Sequence, residues 1–126
     1  MGHIDLTAVN ADLGRNAPAL VQWALGLGKT SIVTTNFRPF EAVILHMVTQ
    51  VNPKVPVVWM DNGYNTEATY RFADEVTKQL GLNLKIYLPL RSRAHREAVE
   101  GATPALHDPR HAAFTAEVKL EPFARA

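Results

Sequence analysis

Between Pro53-Lys54 and Asp61-Asn62-Gly63 the chain runs Val55-Pro-Val-Val-Trp-Met60 without one polar side chain. Such a run is too short for a buried helix, and its valines favour extended backbone. A strand apolar on every residue has no face to offer water, so it belongs in the middle of a parallel sheet with helices covering both faces. That requirement selects an α/β fold. A core of this kind needs apolar material, and 47% of the 126 residues supply it, enough for one domain spanning residues 1–126.

The flanking segments read as the layers that this strand demands. Residues 17 to 28 are expected to form a helix, with Pro18 in the first turn and Gly28 as its stop. Ser31-Ile-Val-Thr-Thr35 is short and β-branched and makes the first strand. From Phe40, the residues Phe40, Val43, Ile44, Met47, Val48 and Val51 recur at helical spacing, and Asn52-Pro53 closes the run. After the central strand, Asn65 or Thr66 caps a helix whose stripe is Phe72, Ala73, Val76 and Leu80, with Gly81 beyond it. Residues 82 to 88 alternate apolar with polar, as a strand covered on one face near a sheet edge does.

Right-handed crossovers between neighbouring strands place these three in the order 3-2-1. Beyond Pro89 the pattern weakens into a basic stretch at Arg91–Arg96, a loop at His107–His111 and a last apolar-bearing segment ending at Ala126. Strand one is left with an open side, yet it carries neither charge nor proline to protect an edge. Later strands of a longer chain, or a second copy of this one, are expected to cover it. The absence of a stopping signal at Arg125-Ala126 favours a chain truncated on its C-terminal side.

Charge and cysteine content remove several function classes. A formal net charge of +1 with interspersed signs gives no field for nucleic acid or membranes. The start Met-Gly-His-Ile-Asp lacks the regions of a secretory leader, and no apolar run reaches a membrane span, so a cytoplasmic protein is expected. There is no cysteine, which excludes disulfides, thiolate metal sites and a sulfur nucleophile from this chain.

Ligands of open parallel sheets lie beyond the carboxyl ends of the strands, where strand order reverses. Thr34-Thr-Asn-Phe-Arg-Pro-Phe-Glu41 follows strand one and offers hydroxyls, an amide, a guanidinium and the free N–H groups of a helix start, all suited to phosphate or sulfate. The plainer reading is a strand-to-helix turn with Glu41 favourable in the first helical turn. Asp61-Asn-Gly-Tyr64 leaves strand two at the same edge. Asp61 can hold a ribose hydroxyl, an amine or a metal-bound water, or the segment is simply an Asp/Asn-Gly turn. Arg91, Arg93, His95 and Arg96 emerge there too, as an anion clamp or as a solvated basic face. His107 and His111 have helical metal-ligand spacing, but Pro109 interrupts them and no metal is assigned. His46 reads as a surface or helix-packing residue, and Trp23 and Trp59 read as core.

Ser31-Ile-Val-Thr-Thr-Asn-Phe, Glu41-Ala-Val-Ile-Leu-His, Val55-Pro-Val-Val-Trp-Met-Asp-Asn-Gly-Tyr, Thr69-Tyr-Arg-Phe and Leu82-Asn-Leu-Lys-Ile-Tyr together resemble the phosphoadenosine phosphosulfate (PAPS) reductase family. The resemblance spans about residues 18 to 89 and continues weakly into Lys119–Ala126. It implies a three-layer, mostly parallel sheet of the adenine nucleotide α-hydrolase-like type, related to ATP pyrophosphatases, extended beyond strand one. It also implies a phosphate loop at Thr34, Thr35, Asn36, Phe37, Arg38, Pro39 and Phe40, and an adenine and ribose turn at Met60, Asp61, Asn62 and Gly63.

Such enzymes reduce PAPS or adenylyl sulfate to sulfite through a cysteine in a late Glu-Cys-Gly-Leu-His motif, with thioredoxin or glutaredoxin as electron donor. Adenylyl-sulfate reductases carry an iron–sulfur cluster as well, and a homodimer is expected. Two departures stand out. The family's Ser-Phe-Gly is Asn36-Phe37-Arg38 here, and the catalytic cysteine is not among these residues, so this chain is expected to bind nucleotide without catalytic residues of its own. An ATP-pyrophosphatase-type adenylyltransferase using magnesium, and a nucleotide-binding module without catalysis, are the alternatives.

Overall fold

The computed structural model describes residues 4–126; Met1, Gly2 and His3, part of the start read above for a leader, lie outside the described residues. Element order is α1 (Leu6–Leu13), α2 (Ala17–Leu25), β1 (Val33–Thr34), α3 (Glu41–Val51), β2 (Pro56–Met60), α4 (Glu67–Leu80), β3 (Asn83–Tyr87) and α5 (Arg93–Glu100). The last helix is continuous but varied: α6 (His111–Thr115), a π-helical turn over Ala116–Leu120, and α7 (Glu121–Arg125). The three strands are parallel in the order β1-β2-β3, so the apolar run is central, as its composition requires.

Alternation along β2 divides the core between two faces. Val57 and Trp59 join Phe37, Leu45, Ala73, Val76 and Leu82 in one buried cluster beneath α3 and α4. Val58 is buried on the other side, and Met60 meets Leu120 and Phe123 of the last helix across a cavity there. Full burial of side chains such as Leu45 and Val57 contributes about 1.5–3 kcal/mol each, which is what anchors the helices to the sheet.

Local caps explain several boundaries. Thr66 accepts from the Thr69 N–H to begin α4, and Gly81 at φ 61° ends it in the left-handed region that glycine enters without a Cβ clash. Asp5 and Ser92 cap α1 and α5 in the same way, two helices not anticipated from the apolar pattern. Helix α2 stops at Leu25, a turn before Gly28, and β1 shrinks to Val33–Thr34.

Helix α3 departs most from expectation. Phe40 lies before its first turn and is 91% exposed, Val43 is 60% exposed, and the buried residues are Leu45, Val48 and Thr49. Helical spacing identifies an apolar face but not which element meets it. Leu45, Val48 and Thr49 supply the buried side of this helix, while Ile44 and Val48 line a cavity of about 520 Å³ shared with Val21, Ala24 and Leu25 of α2. Trp23 is half-buried and not core, whereas Trp59 is core and His46 is exposed. Among the described residues no helix is long and apolar enough to cross a membrane.

Candidate functional site

At the carboxyl end of β1 the chain folds around its own glutamate. The buried Thr35 donates its hydroxyl to Glu41 Oε2 at 2.8 Å, and the Asn36 N–H donates to the same oxygen at 2.6 Å. Thr35 Oγ1 in turn accepts the Phe37 N–H at 2.9 Å. Burial pushes the Glu41 carboxyl up, but hydrogen bonds from Thr35, Asn36 and the Arg38 backbone, with the Arg38 charge, hold it below the ordinary value. The N–H groups of Asn36 and Phe37, which precede the helix start, are therefore already satisfied within the loop.

Phe37 makes this closure possible. It stands at φ 53°, the one non-glycine residue with positive φ among the described residues. A bulky residue there costs about 1–2 kcal/mol of backbone strain. Edge-on packing against Trp59, with ring centroids 4.9 Å apart, offsets it.

The second predicted segment is built around Asp61. Its Oδ1 accepts from the Gly63 N–H at 3.0 Å, Asn65 Nδ2 at 3.1 Å and the Tyr70 hydroxyl at 2.7 Å. Burial and the Asp61 bond both raise the Tyr70 pKa, so Tyr70 stays a neutral donor. The Asp61 N–H extends the β2–β3 ladder to Tyr87 O at 3.0 Å. Asn62 Oδ1 accepts the Tyr64 N–H, and Gly63 at φ 80° completes the turn. Asp61 and Gly63 thus shape the loop, and Asn62 and Asn65 present amides from it.

Two cavities open at this sheet edge and share Asn36 and Lys119 in their walls. One, of about 400 Å³, is lined by Thr34, Thr35, Glu41, Met60, Leu120 and Phe123 besides the shared pair, and its far wall is apolar. The other, of about 290 Å³, adds Phe37, Arg38, Pro39, Asn62, Asn65 and Thr69, four of them polar. In the salt bridges among the described residues, no carboxylate engages Arg38 or Lys119. One space thus offers an apolar wall and the other polar groups with two cations, Arg38 and Lys119.

Of the residues singled out from sequence, Thr34, Thr35, Asn36 and Met60 reach the first cavity and Asn36, Phe37, Arg38 and Asn62 the second. Lys119, Leu120 and Phe123 were not singled out as site residues. They come from the end of the chain, 59 or more positions from Met60 in sequence, and the π-helical turn at Ala116–Leu120 sets which way Lys119 projects.

The basic stretch lines neither of these two cavities: Arg93 and His95 are exposed, as a solvated face has them, while Arg91 and Arg96 turn to carboxylates of α5 and the last helix. Arg91 makes a two-pronged pair with Glu117 at 2.7 and 2.8 Å and also binds Glu100. Arg96 is buried, with its guanidinium 4.4 Å from the Phe114 ring centre, and Arg93 lies 4.7 Å from that of Tyr64. Tyr64 and Phe114 meet edge-on at 5.4 Å. This ladder fastens α5 and the last helix to the Asp61–Tyr64 turn.

Comparison with known proteins gives a consistent picture. The phosphoadenosine phosphosulfate reductase domain family matches residues 30–126. A phosphoadenosine 5′-phosphosulfate reductase of Synechococcus sp. is 45% identical over 98 residues, covering 76% of this chain and 42% of the relative. One from Xanthomonas euvesicatoria pv. vesicatoria is 46% identical over 99 residues, covering 77% and 41%. The crystal structure of phosphoadenylyl-sulfate (PAPS) reductase from Candida auris, a phosphate complex, is similar in fold with a TM-score of 0.80 at 23% identity, covering 99% of this chain and 63% of that one. The chain spans about two fifths of the length of the curated relatives it matches.

Proposed function

This chain belongs to the phosphoadenosine phosphosulfate reductase family, and on that premise we propose that it forms the nucleotide-binding part of a sulfonucleotide reductase of sulfate assimilation. The observation that carries the reading is the pair of cavities joined through Asn36 and Lys119. A purine fits the apolar wall of Met60, Leu120 and Phe123, and the charged groups of PAPS or adenylyl sulfate fit the wall of Arg38, Lys119 and side-chain amides. Asn36 and Lys119 bridge the two, Thr34 and Thr35 line the first, and Asp61, Asn62 and Gly63 hold the second wall in place.

In the reaction that this membership implies, a thiolate attacks the sulfate sulfur, an S–S bond forms and the S–O bond to phosphate breaks. The adenosine phosphate leaves with the electron pair; a thiolate of thioredoxin or glutaredoxin then attacks the enzyme sulfur, forming a mixed disulfide as sulfite leaves, and the donor's second thiol resolves that disulfide. The nucleophile must come from outside these 126 residues, which contain no cysteine. An iron–sulfur cluster likewise finds no thiolate ligand in this chain, so no step here runs through one. What these residues contribute is seating, orientation and charge. A cytoplasmic setting and a homodimer belong to the same reading.

Calorimetric titration with adenosine 3′,5′-bisphosphate tests it. Saturable binding is expected, weakened about tenfold or more by Lys119→Ala through loss of a charged hydrogen-bond donor. No sulfite is expected from PAPS and a thiol donor with this chain alone. Sulfite release by the 126 residues would sink the requirement for an external thiol.

A further inference from the structure

The loop that sequence offers as a phosphate cradle already holds an anion, its own Glu41. Oε2 takes the Asn36 N–H and the Thr35 hydroxyl, and Thr35 Oγ1 takes the Phe37 N–H. Glu41 nevertheless lines the cavity of about 400 Å³, beside Thr34 and opposite Met60, Leu120 and Phe123. A carboxylate accepts hydrogen bonds and donates none, and it repels a phosphate brought alongside it. The cations line other parts of the walls: Arg38 the polar cavity, and Lys119 both cavities.

We infer that Glu41 is a specificity-determining residue that accepts a hydrogen bond from a neutral N–H or O–H donor on the nucleoside, while the ligand's phosphate is held by Arg38 and Lys119 and not by the loop's backbone N–H groups. The inference rests on the nucleotide-binding reading above and turns the ligand within it. The nucleoside half faces the loop, and the charged half faces the side-chain wall. Thr35 and Asn36 act as positioning residues, because they hold one oxygen of Glu41 and so aim the carboxylate.

The test uses amide NMR and calorimetry on the chain with three probes: adenosine, inorganic phosphate and adenosine 3′,5′-bisphosphate. In the unsubstituted chain, adenosine is expected to displace the Asn36 and Phe37 amide resonances, and inorganic phosphate is expected to leave them in place. Glu41→Gln is expected to weaken adenosine and the bisphosphate by the same factor, about tenfold, without strengthening inorganic phosphate. Inosine and 2′-deoxyadenosine identify the donor, since one lacks the 6-amino group and the other a ribose hydroxyl. Tighter phosphate binding in Glu41→Gln would overturn the inference, because it would mean that the carboxylate had been competing for the loop's donors. So would phosphate-driven displacement of the Asn36 and Phe37 amides in the unsubstituted chain, a result that needs no variant to fold. A chain that binds none of the three probes overturns the nucleotide reading itself, and this inference with it.

Discussion

Phe37 combines a positive φ with a buried ring, and its neighbours decide whether that arrangement is affordable. Phe37→Ala removes the Trp59 contact but leaves the backbone strain, and a loss of about 3–5 kcal/mol is expected in urea denaturation. Glu117 carries the pH dependence of the arginine network. The two-pronged bond from Arg91, opposed by burial, lowers its pKa below the ordinary 4.5. Because the folded pKa is the lower one, the unfolded chain binds more protons as pH falls past 4.5, and the stability that Glu117 contributes is lost on the way down. Glu117→Gln is expected to flatten that acid limb of stability measured against pH, and a limb of unchanged slope would refute the role. At this scale the placement of Thr34, Asn36, Arg38 and Met60 along the cavity walls was legible because they end the strands or follow them closely. Lys119 and Phe123 were not, because nothing local says that the last helix returns to the first strand's end.

The elements divide in the same way. β2 and α4 were readable because each has a dominant local signal: an apolar run bounded by turns, and an amphipathic stripe between a threonine cap and Gly81. Helix α3 was readable as a helix but not in its orientation, since its apolar residues encircle more than one face. Helix α5 was hidden because its arginines look like a solvated stretch until Glu100, Glu117 and Phe114 are brought to them. The π-helical turn supplies a prediction for the last helix. Deleting Ala116 would restore regular helix and turn the two flanking segments relative to each other by about 100°. Lys119 and Phe114 could then not both keep their places. Nucleotide affinity is expected to fall while far-ultraviolet circular dichroism keeps its helical signal.

Across the whole molecule, the described sheet pairs β1 on one side only, and Ile32 beside it is 44% exposed. An uncharged edge of this kind favours pairing with further strands, so Ile32→Lys is expected to reduce concentration-dependent association in sedimentation velocity. Family membership accords with the order of the strands and with the resemblance of the blocks around them. By itself the sequence determined the central strand, the parallel α/β architecture and the edge at which the candidate site residues gather, because apolar periodicity and turn residues act over a few positions at a time. The tertiary structure alone decided that Glu41 closes the Thr34–Phe40 loop, that Arg91 and Arg96 pair with Glu100 and Glu117 and that Lys119 stands between two cavities. Those outcomes depend on which distant groups are close enough to exchange hydrogen bonds and charge, and chain distance does not encode that.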